Sequence, residues 1–544
     1  MTDLVATGST AMATFPTERP WWEPGVIYQV YPRSFQDSNG DGIGDLPGIL
    51  RRLDYLEWLG VDAIWLSPIF PSPMADFGYD VSDYCDVHPM FGSLADLDRL
   101  VSGAHRRGMK VLLDFVPNHT SDRHPWFVES RSSRSNPRRD WYLWADPGPN
   151  GGPPTNWASM FGGSAWTFDE PTGQYYYHAF LAEQPDLNWR NREVRQAMMD
   201  VLRFWLERGI DGFRIDVIWH VIKDDRLRDN PPARSTRGAT DYAHLVPRYT
   251  TDRPEVHDVV ALMRRTVDAY GDRLLVGELY LPLRRLMRYY GTRRRSGVQL
   301  PYNFELLFLP WRARRIAAAV SAYEAALPPG AWPNWVLGNH DQPRIATKVG
   351  RAQARVAAML LLTLRGTPTI YNGDEIGMVN GRIPPDRLVD PARHDGRAEG
   401  RDPERTPMQW DGGPRAGFTT GEPWLPIAAD ADVVNVAAQA EDPRSMLTLH
   451  RRLLALRRAE TALSIGGWDL HEASGPLLTY LRSDGRRRVA IALNLGPRPV
   501  TASLPGEGTI LLSTALDRDE ELVRRQLYLR GDEGVAVALR EPGG

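Results

Sequence analysis

A chain of 544 residues, 42% hydrophobic and 24% charged, can bury a large core and more than one domain. Its net charge of −3 gives neither nucleic acid nor an anionic membrane a reason to bind. The single cysteine, Cys85, excludes an intrachain disulfide framework and fits a reducing compartment. The opening MTDLVATGSTAMATFPTERP lacks a basic start and a continuous apolar run, so it does not read as a signal peptide. No apolar run approaches the roughly 20 residues of a membrane span. A soluble, cytoplasmic protein is the expectation.

Along the chain one unit recurs. VIYQVYPRSF supplies a first strand. GILRRLDYLEWLG carries Ile49, Leu53 and Leu56 at helical spacing, stops at Gly60, and is followed by the strand VDAIWLSP. SLADLDRLVSGAHRRG places Leu97, Val101 and Ala104 on one face, stops at Gly108, and leads into MKVLLDF. A helix through Val194, Met198, Val201 and Trp205 ends near Gly209 before IDGFRID, and EVHDVVALMRRTVDAYG ends at Gly271 before DRLLVGE. Amphipathic helix, glycine stop and apolar strand alternate, which predicts a parallel sheet with right-handed crossovers. NFELLF, NWVLGNHD and GTPTIYNGDE complete a count of eight strands. The fold class is α/β, a (β/α)8 TIM barrel.

Carboxylates keep a register within these units. Asp114 lies six residues after Gly108, Asp216 seven after Gly209 and Glu278 seven after Gly271. A carboxylate ending a core strand is costly to desolvate unless paired or used. In a closed β/α barrel the carboxyl ends of the strands converge on one face, where catalytic residues sit. Isolated capping carboxylates would explain one such position more readily than three.

Other segments interrupt the barrel. The tract from His119 to about Asn191 is rich in Gly, Pro, Trp, Tyr and Ser and too long for a turn, so it reads as an inserted domain after strand three. The tail alternates runs such as LLTYLRS, RRVAIALNLG and GTILLSTAL with turn residues, a C-terminal antiparallel β domain. The expected division is a tail at 1–20, barrel at 21–118, inserted domain at 119–191, barrel again at 192–458, and β domain at 459–544. Long loops at 220–255 and 380–442 would overhang the catalytic face.

Taken together, DFVPNHTS at Asp114, QPDLNW at Gln184, GFRIDV at Gly212, GELY at Gly277, GNHDQPR at Gly338, GTPTIYNGDEIGM and RTPMQWD resemble, in order, the motifs of the α-amylase superfamily of retaining glycoside hydrolases. The resemblance runs from about Trp22 to the end and points to the α-glucosidase and oligo-1,6-glucosidase branch. It implies that Asp216 is the nucleophile, Glu278 the acid/base, and Asp341 a third carboxylate that orients the sugar. A retaining glycosidase needs one ionised and one protonated carboxyl about 5–5.5 Å apart. Arg214, two residues before Asp216, would keep Asp216 ionised; its competing role is an ion pair with Asp114. His119 and His340 match histidines that bind the innermost glucosyl unit, and Gln184 and Val217 lie within matched motifs. Tyr79 and Asp80, with Arg344, match residues that hold the non-reducing end, and a buried Asp–Arg pair would close the pocket. A plain salt bridge of the barrel rim is the alternative.

DSNGDGIGD offers Asp37, Asn39, Asp41, the Ile43 carbonyl and Asp45 at alternate positions, hard oxygen donors suited to a structural Ca²⁺. An EF-hand loop would end in Glu where this chain has Gly48, and a bare turn or Mg²⁺ remain alternatives. No organic cofactor is expected. Val217 after the nucleophile accompanies α-1,6 cleavage in some relatives, yet DVIWHVIKDDRLRDNPP more closely resembles members acting on maltose and short α-1,4 glucosides. The expectation is therefore an exo-acting retaining α-glucosidase of short, maltose-like α-glucosides with transglucosylation, acting as a monomer or homodimer without nucleic acid or membrane. The alternatives are an α-1,6-specific glucosidase, a sucrose- or trehalose-type disaccharide isomerase or phosphorylase, and a non-catalytic sugar-binding homologue.

Overall fold

The computed structural model describes residues 19–234, 241–292, 295–392 and 399–540. The expected tail falls, save its last two residues, outside these, as do parts of both long loops. Eight parallel strands form the barrel: Ile27–Val30, Ala63–Leu66, Lys110–Phe115, Gly212–Ile215, Leu274–Gly277, Leu300–Pro301, Asn334–Val336 and Thr367–Tyr371. They are called strands one to eight below. Each pairs with its sequence neighbour except six with seven, and strand eight returns to strand one. The seam between six and seven is closed by a side chain. Asn334 Oδ1 accepts the Asn303 N–H at 3.1 Å, and its Nδ2 donates to the Pro301 carbonyl.

The predicted helix stops hold. Gly60, Gly108, Gly209 and Gly271 all take positive φ, between 74° and 96°, conformations that cost glycine no Cβ clash. The helix Leu94–Arg106 opens with a reciprocal cap between Ser93 and Asp96 and buries Leu97, Leu100, Val101 and Ala104. The helix Arg192–Glu207 is capped by Asn191 and buries Val194, Met198, Leu202 and Trp205. NFELLF is corrected: its last four residues, Glu305–Phe308, are a helical turn whose Glu305 N–H is held by Asn303 Oδ1 at 3.1 Å. Strand six lies just before it, where Leu300 and Pro301 pair with Val276 and Gly277.

Side-chain alternation explains how polar residues reach the barrel mouth. Ile27, Ala63, Trp65, Leu112, Leu274, Val276, Leu300 and Val336 pack together in one buried cluster inside the barrel. Two residues further along the same faces come Gln29, Asp114 and Arg214. Asp114 and Arg214 are register partners across strands three and four. Gly212 is required beneath them, since a Cβ there would stand 2.2 Å from the Leu274 carbonyl oxygen and 2.7 Å from Leu112 Cδ2.

The segment after strand three forms the helix Pro125–Ser132 and a three-stranded antiparallel sheet of Trp144–Ala145, Trp166–Asp169 and Gln174–Tyr177. Trp157, Trp166 and Tyr177 make up much of its own core. Beyond the helix Met446–Ala459 the chain builds a six-stranded antiparallel sheet from Gly467–Ser474 to Gly534–Leu539. Among the described residues no helix is long and apolar enough to cross a membrane.

Candidate active site

Three carboxylates surround one guanidinium at the mouth of the barrel. Arg214 Nη1 lies 2.8 Å from Asp114 Oδ1 and 2.6 Å from Asp216 Oδ1, and Nη2 lies 2.9 Å from Glu278 Oε2. The ion pair with Asp114 and the contact with the candidate nucleophile therefore coexist. The side chains of all four are at most 9% exposed. Burial pushes the Asp216 carboxyl well above its usual range, Arg214 opposes this, and Glu278 and Asp114 add to it. Burial likewise raises Glu278 against the pull of Arg214, with Asp341 adding to the rise. Asp114 is raised to about 6, by burial first. Arg214 bonds Asp216 and Glu278 alike, so it does not by itself keep one ionised and the other protonated. One cation facing three buried carboxylates favours a shared proton in the group.

Val217 adds a strained link. It sits at φ 34° and ψ 43°, a left-handed conformation that costs a β-branched residue about 1–3 kcal/mol. In that pose its N–H donates to Glu278 Oε2 at 2.9 Å, tying the residue after Asp216 to the other carboxyl.

Strand seven leads into His340 and Asp341. Gln29 Nε2 donates to His340 Nδ1 at 2.7 Å, so the ring proton belongs on Nε2, which faces the Tyr79 hydroxyl at 2.6 Å and Asp341 Oδ2 at 3.2 Å. The Tyr79 hydroxyl donates onward to Asp114 Oδ2 at 3.1 Å. Burial pulls His340 down to about 3 and His119 to about 4, so both are neutral near pH 7. Burial alone would raise Asp341, but His340, Arg401 and Arg405 hold it far below the usual carboxylate range. Arg405 Nη2 lies 2.8 Å and Arg401 Nη1 3.2 Å from Asp341 Oδ1.

Of these groups Asp216, Val217, Glu278, Tyr79, His119, Asp341 and Arg401 line a cavity of about 380 Å³, together with Met160, Phe161, Phe180, Trp219, Tyr280, Phe308 and Gln342. Its charged lining is Asp76, Asp216, Glu278, Asp341 and Arg401; the rest of the wall is largely aromatic.

The family model for the α-amylase catalytic domain matches residues 29–466. This chain belongs to that family. A probable α-glucosidase of Rhizobium meliloti (strain 1021) is 44% identical, covering 94% of this chain and 97% of its own length. An oligo-1,6-glucosidase of Parageobacillus thermoglucosidasius is 38% identical, covering 96% and 100%. Among solved structures, the α-glucosyl transfer enzyme XgtA superposes with a TM-score of 0.91 at 42% identity, covering 96% of this chain and all of its own. A single-residue variant of the trehalulose synthase MutB gives 0.90 at 34%, with the same coverage.

Set on this α-amylase barrel, the sequence-predicted site residues divide. Asp216, Glu278, Asp341, Tyr79, His119 and Val217 line the cavity. Arg214 and His340 support it from below, and Gln184 Nε2 donates to Asp76 Oδ2 at 3.2 Å. Asp80 and Arg344 do not form the expected closing pair. Asp80 is turned back into its own loop, where its oxygens accept the Ala75 and Asp76 N–H groups at 2.9 Å each. Arg344 is fully buried behind the cavity, donating to the Asn372 carbonyl at 2.8 Å with its guanidinium 4.6 Å from the Tyr371 ring centre. The buried Asp–Arg pair beside the cavity is instead Asp76 with Arg401, Oδ1 to Nη2 at 2.6 Å. Arg401 is itself braced by Asp390 at 2.7 Å. Sequence reasoning missed Asp76, Arg401 and Arg405. The signal for Asp76 was present, since it stands in the same ADFGYD stretch as Tyr79.

The loop from Asp37 to Asp45 curls through nested side-chain turns. Asp37 Oδ1 accepts the Asn39 and Gly40 N–H groups at 2.8 Å each, and its Oδ2 accepts the Gly42 N–H and the Thr419 hydroxyl. Asp41 Oδ1 accepts the Ile43 N–H at 2.8 Å, and Asp45 caps the helix Leu46–Arg51 through the Gly48 N–H. Every donor atom the loop could offer a cation is oxygen, in keeping with Ca²⁺. Among the described residues no three His, Cys, Asp or Glu side chains are gathered as a metal cluster. The acceptor positions of Asp37 are already filled by protein donors.

Proposed function

We propose that this chain is an exo-acting, retaining α-glucosidase that releases glucose from the non-reducing end of short α-glucosides. The observation that carries the reading is the cavity itself. Three barrel-mouth carboxylates meet there beside the Asp76–Arg401 pair, whose hydrogen-bonding atoms suit the hydroxyls of one terminal glucosyl ring. Asp216 attacks the anomeric carbon while Glu278 protonates the departing oxygen, giving a glucosyl ester on Asp216. Glu278, now ionised, takes a proton from water as that water attacks the anomeric carbon and the Asp216 carboxylate departs. Asp341, held ionised by three cationic or polar neighbours, stabilises the positive charge that develops on the ring.

Maltose-like α-1,4 linkages are favoured by the residues around Asp216, and a relative named a probable α-glucosidase, at 44% identity, supports action on α-glucosides as a class. A second reading, α-1,6 cleavage, is favoured by Val217 and by a relative named oligo-1,6-glucosidase. Transfer to an acceptor other than water is supported by the likeness to a protein named an α-glucosyl transfer enzyme. The neighbour named trehalulose synthase keeps disaccharide isomerisation as an outcome to be tested. We infer also a structural Ca²⁺ at the Asp37–Asp45 loop, supported by its all-oxygen donor set, and a cytoplasmic location, supported by the single cysteine.

The test is proton NMR of the first minutes of reaction with maltose and, separately, isomaltose. α-Glucose appearing before mutarotation is expected, faster from maltose. β-Glucose as first product, or equal rates from the wild-type and Asp216→Asn proteins, overturns the reading.

A further inference from the structure

The stretch from Ser72 to Asp80 is held in a shape its residues resist. Met74 takes φ 66° and Phe77 φ 48°, left-handed conformations in which a side chain crowds the following carbonyl. Asp76 stands between these two strained residues. It is also the residue that the loop delivers to the cavity, where its Oδ1 lies 2.6 Å from Arg401 Nη2. Strain of this kind persists only where the surroundings enforce it, and it clusters at functional sites.

Side chains do the enforcing. Ser72 Oγ accepts the Met74 N–H at 2.9 Å, and Asp80 accepts the next two, Ala75 at Oδ2 and Asp76 at Oδ1, at 2.9 Å each. The Asp76 carbonyl then accepts the Tyr79 N–H at 3.0 Å and closes the turn. Asp80 is fully buried, and burial raises its carboxyl; the Asp76 and Ala75 N–H groups and the Ser72 hydroxyl pull it back, with no cation among them. A carboxylate buried without a cation is a costly way to hold a turn, and what it secures is the pose of Asp76. We propose that Asp80 is a positioning residue: by gripping the Ala75 and Asp76 N–H groups it keeps the strained loop in the pose that presents the Asp76 carboxylate to Arg401 and to the terminal sugar ring. Asp80 touches no substrate and acts through Asp76. The assignment rests on the exo reading above, in which Asp76 and Arg401 hold that ring.

The test is kcat/KM on 4-nitrophenyl α-glucoside for a set of variants. Asp80→Asn keeps the side-chain shape but turns one acceptor into a donor facing an N–H. It is expected to lose roughly tenfold, the effect of one buried N–H left unpaired. In an Asp76→Ala background the same change should cost about twofold or less, because the side chain it positions is gone. Met74→Gly, which accepts a positive φ without strain, should leave the rate of the unmodified protein nearly intact and restore most of what Asp80→Asn loses. An equal loss with and without the Asp76 side chain overturns the proposal, since a general loss of stability acts in both backgrounds. So does a combined Met74→Gly and Asp80→Asn protein no better than Asp80→Asn alone, and so does an Asp80→Asn protein that loses nothing. An unmodified protein that leaves the glucoside untouched overturns the glucosidase reading and this assignment with it, a result distinct from the other three.

Discussion

One guanidinium joins two of the carboxylates that line the cavity: Arg401 Nη2 lies 2.6 Å from Asp76 Oδ1, and its Nη1 lies 3.2 Å from Asp341 Oδ1. Breaking a buried pair strands the remaining charge, at about 3–5 kcal/mol. If that cost falls on the bound transition state, Arg401→Ala is expected to lower kcat/KM on maltose by roughly 100- to 5000-fold. Asp80→Asn, which keeps an oxygen for the Ala75 N–H, should cost far less. Steady-state kinetics on both variants decides it, and similar losses would return Asp80 to the site.

Glu278→Gln separates protonation from attack. Maltose hydrolysis should fall by about 1000-fold, within the range for a general acid, whereas an aryl α-glucoside with an acidic leaving group should lose much less in its first turnover. Burial raises the Glu278 carboxyl, and its acid form is the active one, so activity falls as pH rises through that value. The variant should lack this basic limb. A pH profile that keeps it would place the essential proton elsewhere.

Calcium can be tested by melting temperature. If the Asp37–Asp45 loop binds the ion, millimolar Ca²⁺ raises Tm after chelator treatment by the usual linkage between binding and folding. Asp41→Ala, at an exposed position of the loop, should abolish the increment without lowering the metal-free Tm by more than a small amount. No response to Ca²⁺ in the unmodified protein removes the ion from the description.

His450 offers a stability test far from the chemistry. Burial pulls its imidazole down to about 4, with its Nδ1 lying 3.2 Å from the Met446 carbonyl oxygen. A base whose folded pKa is depressed contributes stability above its unfolded value, near 6.5, and loses it as pH falls toward the folded one, by about 1.4 kcal/mol per pH unit. The Tm gap between the unmodified protein and His450→Gln should be widest above pH 7 and shrink between pH 6.5 and 4. A constant gap would mean that His450 does not titrate on unfolding.

The barrel was legible because its information is local. Helix periodicity, a glycine stop and an apolar strand repeat within about thirty residues, and Asp114, Asp216 and Glu278 inherit their positions from that repeat. NFELLF was misread because a short apolar run suits a strand or a helical turn equally, and a side chain, Asn303, decides between them. The Asp76–Arg401 pair was hidden for another reason. Its members lie 325 positions apart, and ADFGYD holds two aspartates four positions apart. Only the turn that folds Asp80 back onto the N–H groups of residues 75 and 76 shows which one faces the cavity.

The seam between strands six and seven has a bearing on how the site is held together. Glu278 stands at the end of strand five and Asp341 beyond strand seven, so the two lie on opposite banks of a gap spanned in the sheet by the Asn334 amide rather than by a backbone ladder. Around the long way they are joined by six continuous strand pairings. A sugar gripped by Asp341 on one bank and served by Glu278 on the other becomes a crosspiece between them. The ligand would then splice the barrel where the polypeptide leaves it most thinly stitched.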